Sequence, residues 1–121
     1  MLFVEIAENQ RDLERGLMFR KELANDSGML FKFQSPQVMN FWGSNTYIPL
    51  DIAFVDSDNT IVKIGKIQPF DLRSVSSDTD CVIAIEANEG FFESNGIGIG
   101  HKINVEKTAH GQNFFTVLFK E

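Results

Sequence analysis

Five side chains stand where a ligand could be held: Arg20, Trp42, Asn45, Thr46 and Asp51. Arg20 ends a helical segment, and Trp42 to Thr46 leave a strand for a loop. Asp51 opens the next strand on the face opposite Leu50, Ile52 and Phe54. If these loop ends converge on one rim, a guanidinium and a carboxylate would grip opposite ends of a small polar ligand or a protein segment. The Trp42 indole would supply a flat apolar wall, and Pro49 would stiffen the approach. Two other assignments fit the same residues. In a small enzyme, Asp51 would act as general acid or base and Arg20 would stabilise negative charge. In a structural or assembly protein with no ligand, Arg20 and Asp51 would form a buried ion pair while Asn45 and Thr46 cap a turn. Only one good carboxylate stands in the constellation, which favours a non-catalytic binding module over an enzyme.

The remaining reactive residue types point away from chemistry. His101 and His110 have no His, Cys or clustered carboxylate at metal spacing, so no metal is expected. Cys81 opens an apolar strand, where a thiol is usually inert. Asp56, Asp58 and Asn59 lack the Gly and the closing Glu of a calcium loop and read as a solvated hairpin turn. Gly96, Gly98 and Gly100 precede a strand, whereas a dinucleotide loop precedes a helix. No cofactor is expected.

Charge and length narrow the partners. The net charge is −6, from 11 basic and 17 acidic residues with no basic run. Nucleic acid and anionic membrane surfaces both need the opposite balance. The 121 residues fit one domain, and 12 Phe argue for a packed interior. The single Cys allows no internal disulfide. No secretory leader opens the chain as given, and no apolar run reaches membrane-helix length. The expected setting is soluble and cytoplasmic; the sequence does not indicate an oligomeric state.

These residues need elements to position them. Leu2 to Ala7 reads as a strand. Asn9 to Asp12 starts a helix of two or three turns, with Leu13 and Leu17 facing the core and Gly16 weakening it. Asn25 to Gly28 reads as a loop. Met29 to Phe33 alternates as a strand that Ser35-Pro36 breaks, and Val38 to Trp42 reads as a further strand. Leu50 to Val55 and Thr60 to Ile67 form a hairpin. Gln68 to Asp80 reads as a long surface loop. Cys81 to Ala87 is an apolar strand, and Asn88 to Asn95 holds one or two helical turns. Strands around Ile103–Val105 and Phe114–Phe119 close the chain, with His110 in a turn between them. Several strands are apolar on both faces. The expected fold is mainly β (α+β): a small closed or partly closed β-barrel with one or two short helices packed on it.

Three stretches carry a family resemblance over nearly the whole chain. They are Gly16-Leu17-Met18-Phe19-Arg20 with Gly28-Met29-Leu30-Phe31-Lys32-Phe33; Phe41 to Thr46 running into Ile48 to Asp56; and Glu86 to Phe92 with Gly96-Ile97 and Gly100. Their order and spacing resemble the uncharacterised ancient-conserved-region family, domain of unknown function 192. The resemblance implies a β-rich, barrel-like domain with a short helix near its N-terminus, and no established activity. Many members of that family carry a secretory or lipoprotein leader. The chain departs from the pattern at Gly43-Ser44, where the family has Met and a basic or polar residue, at His101 and at Asn59.

Overall fold

The structure is a computed structural model and describes residues 1–108 and 114–121. Its strands are β1 (Leu2–Ala7), β2 (Ser27–Gln37), β3 (Asn40–Phe41), β4 (Leu50–Val55), β5 (Ile61–Ile67), β6 (Val75–Ser76), β7 (Cys81–Asn88), β8 (Lys102–Lys107) and β9 (Phe114–Lys120). Two short helices, α1 (Gln10–Arg15) and α2 (Phe91–Ser94), interrupt them. The fold is mainly β, as the strand periodicity implies.

Seven strands form one sheet in the order β5-β4-β7-β2-β1-β9-β8. β1 and β2 run parallel, joined through α1, and the other neighbours are antiparallel. The sheet curls until its edges touch. An antiparallel bridge joins Thr60 to Lys102. There the Ile61 amide donates to His101 (2.9 Å) and the Ile103 amide donates to Asn59 (2.9 Å). The barrel is therefore partly closed, which shortens its exposed edges.

Both faces of the sheet are buried. Val4, Leu30, Ala53, Val55, Ile85, Ala87 and Val117 point into the curl, where Phe91 and Phe92 of α2 join them. Ala7, Met29, Phe31, Ile52, Phe54 and Ala84 point outward beneath a second layer built by Leu17, Met39 and Ile48. This is why β4 is apolar at nearly every position: each face meets its own core.

Local signals explain most boundaries. The Asn9 side chain accepts from the Asp12 amide at 2.8 Å and caps α1. Gly16, at φ 49°, stops the helix after six residues, so it makes fewer than the expected two turns. The Asp56 side chain accepts from the Asp58 and Thr60 amides, fixing the β4–β5 hairpin turn. Further expectations are corrected. β2 continues through Ser35-Pro36, because an irregularity in its pairing with β7 between Lys32 and Gln37 relaxes the demand for a donor there. Only Asn40 and Phe41 of the expected Val38–Trp42 strand pair, and they pair with β6, inside the expected 68–80 loop. Ser27 and Gly28 belong to β2 rather than to a loop. The expected His110 turn lies outside the described residues.

Cys81 is fully buried on the outer face, and desolvation pushes its thiol above the ordinary range. It is expected to resist thiol reagents in the native protein and to react stoichiometrically after unfolding. Fast labelling of the folded chain by a disulfide reagent would contradict this.

Candidate functional site

The segment after α1 forms one wall of a cleft on the outer face. Gly16 turns the chain, and the Phe19 amide then donates to the Asn45 carbonyl at 2.8 Å, tying this wall to the Gly43–Thr46 loop. Gly43 lets the loop pack closely there: a Cβ would lie 2.0 Å from the Gln68 carbonyl oxygen, so a side chain would force the loop to shift. The Gly43 amide donates to Asp71 at 2.7 Å, and its carbonyl accepts from Phe70 and Thr46. The loop is thus pinned by backbone bonds beside Trp42.

The cleft has a volume of about 460 Å³. Leu17, Phe31, Phe33, Phe41 and Trp42 give it apolar walls, and Thr46 and Glu86 are among its polar members. Phe31 and Phe41 meet edge to face, 5.0 Å between ring centres. Trp42 is 50% exposed at the mouth. Thr46 is buried, its hydroxyl donating to the Ser44 carbonyl at 3.1 Å.

Glu86 is the unusual group. It lies on β7 between Met29 of β2 and Ile52 of β4, at the centre of the sheet. Its neighbours Ile85 and Ala87 point into the curl, so the Glu86 side chain points outward into the cleft. It is only 5% exposed. Among the described residues no group bonds to or pairs with its carboxyl, whose oxygens open on the cleft. Burial alone pushes its pKa up to about 8. The other charged side chains lining the cleft, Glu14 and Arg15, are exposed on α1.

The five residues singled out from sequence do not share one rim. Trp42 and Thr46 line the Glu86 cleft, and Asn45 is exposed beside it, in the left-handed region at φ 54°. Arg20 lines a neighbouring cleft, where its guanidinium donates to both carboxylate oxygens of Glu5, one bond measuring 2.9 Å. That bond holds the Glu5 carboxyl below its ordinary range and raises Arg20. Asp51 projects from the inner face. It accepts from Lys66 Nζ at 3.1 Å and from the Gly90 amide at 2.8 Å, so it anchors the start of α2. Lys66 is raised by this hydrogen bond. The expected Arg20–Asp51 ion pair is therefore replaced by two separate pairs on opposite faces of the sheet. The enzyme alternative, with Asp51 as general acid or base and Arg20 stabilising negative charge, loses its geometry for the same reason.

Among the described residues no three His, Cys, Asp or Glu side chains gather as metal ligands. No described helix is long and apolar enough to cross a membrane.

A curled β domain with a carboxyl group set in an apolar cleft is the class that fold and site define. The chain belongs to the uncharacterised ACR family, domain of unknown function 192, whose model matches residues 1–105. Two solved structures are similar. One is from Sinorhizobium meliloti 1021 and is described as a candidate transcription regulator. It is 35% identical, with a TM-score of 0.81, covering 84% of this chain and 79% of that one. The other is a protein of unknown function from Novosphingobium aromaticivorans DSM 12444. It is also 35% identical, with a TM-score of 0.79, covering 82% of this chain and 71% of that one. No curated protein is significantly similar to the chain.

Proposed function

We propose that the protein is a non-catalytic binding module whose site is the Trp42 cleft, taking a small ligand or a protein segment. The observation that carries this is the half-exposed indole over a cleft of about 460 Å³ with a nearly buried carboxyl inside. Clefts of this size with few polar groups suit small-molecule recognition. Of the residues chosen from sequence, Trp42 and Thr46 support the reading directly and Asn45 does so through its carbonyl. Arg20 and Asp51 are better explained by their own partners. The regulator description belongs to the Sinorhizobium protein. For this chain a net charge of −6 opposes direct contact with nucleic acid. A soluble, reducing setting is part of the proposal, on that charge and the lone buried Cys81.

Trp42→Ala is the test. The exposed indole is expected to contribute about 1 kcal/mol or less to folding, while binding of any cleft ligand is lost. A thermal-shift panel of neutral, cationic and anionic aromatic fragments on both proteins reads this out, because binding to the native state raises apparent stability. Equal responses in the wild type and the variant would remove the cleft from consideration.

A further inference from the structure

The cleft reading can be deepened to a ligand class, and this step rests on that reading. We propose that the ligand is a small organic amine, its apolar body held by the aromatic walls and its ammonium group seated on the Glu86 carboxylate. The argument begins with the missing partner. A carboxyl set this deep in an apolar cleft with no protein partner favours its neutral form, and favours the carboxylate only once a cation meets it. β2 and β3 face it with Phe31, Phe33, Asn40 and Phe41, and the charged groups of α1, Glu14 and Arg15, are exposed. The fold therefore leaves Glu86 without an ion partner, and a ligand ammonium would complete it.

The walls fit the same class. Trp42, Phe33 and Phe41 line the cleft, and aromatic walls suit a cation carried on an apolar frame. An anionic ligand would meet Glu86 and a net charge of −6. A sugar would need several donors and acceptors, whereas the Thr46 hydroxyl is already committed to Ser44. The volume matches a small molecule. The exchange balances simply: the ammonium enters with its proton, Glu86 releases its own proton to solvent, and no covalent bond changes.

The experiment is calorimetry at pH 7 with 2-phenylethylamine, 2-phenylethanol, 3-phenylpropanoate and a short lysine-bearing peptide as probes. It uses the wild type and Glu86→Gln, each in two buffers of different ionisation heat. The amine is expected to bind at least about tenfold more tightly than the alcohol, roughly the effect of one charge-assisted contact. It should release close to one proton, and the acid should not bind. Glu86→Gln should lose both the preference and the proton release. Equal binding of amine and alcohol, dependent on Trp42, would overturn the amine assignment and leave the cleft reading intact. Unchanged amine binding in Glu86→Gln would also overturn it, as would binding by a lysine-bearing peptide alone. If no probe of any charge binds, both readings fall together.

Discussion

Replacing Glu86 with Gln is expected to stabilise the protein by roughly 3 kcal/mol at pH 7. Folded Glu86 keeps its proton up to about 8, against an ordinary value of 4.5. Between those values the folded state binds more protons than the unfolded chain. The stability of the wild type is therefore undiminished below the ordinary value and falls as pH rises through the folded one. Gln carries a neutral amide of similar shape, so it matches the protonated acid and escapes the loss at higher pH. The two proteins should be nearly equal at pH 4.5 and diverge steadily toward pH 8. Urea titrations at pH 5 and pH 8 measure the divergence. The lowered Glu5 pKa acts in the opposite sense, but it is common to both proteins and cancels in the difference. A gap that does not change with pH would show that Glu86 has a partner in the fold.

A carboxyl that weakens the fold at neutral pH calls for a reason outside folding. Perturbed acids gather at functional sites because their environment is arranged for a ligand rather than for stability. The contrast with Asp51 is instructive. That carboxylate is equally buried, yet Lys66 and the Gly90 amide satisfy it. It ties β4, β5 and α2 together. Asp51 is satisfied within the fold, whereas Glu86 is the carboxyl left for the proposed ligand, although the sequence pattern points to Asp51.

Local physics made much of the fold legible. Asn9 announces a helix cap, and the Asp56–Asn59 turn between alternating runs announces a hairpin. Once that hairpin is registered, Lys66 falls opposite Asp51, so the true partner of Asp51 was within reach of strand pairing alone. Glu86 also left a signal. It is the one charged residue in the apolar run Cys81–Ala87, and a strand covered on both faces must bury whatever it carries. What was not legible is which groups meet across distant loops. Arg20 finds Glu5 because the chain after Gly16 folds back over β1, and the cleft itself joins α1, β2, β3 and β7. No spacing rule connects those segments.

Gly28→Ala is expected to destabilise the protein by about 3 kcal/mol or more, well beyond the usual surface glycine change. Gly28 belongs to a polar Asn-Asp-Ser-Gly run that looks like a turn, yet it sits inside β2 between Val4 of β1 and Ala87 of β7. A Cβ there would lie 2.2 Å from the Glu86 carbonyl oxygen and 3.2 Å from a Leu2 methyl. Backbone at the centre of a sheet has little room to yield, because neighbouring strands share its hydrogen bonds. Relief would have to come from parting β2 and β7, with loss of ladder bonds worth about 1 kcal/mol each. The same movement would displace Glu86, so cleft binding should weaken with stability. Gly98→Ala is the matched control: it has open space around its Cβ and no positive φ. Its effect should stay within about 0.5 kcal/mol. Chemical denaturation of the three proteins separates the cases. A Gly28→Ala chain as stable as the Gly98→Ala chain would mean that β2 and β7 can part without cost, and that the strand frame behind Glu86 is looser than the packing around it implies.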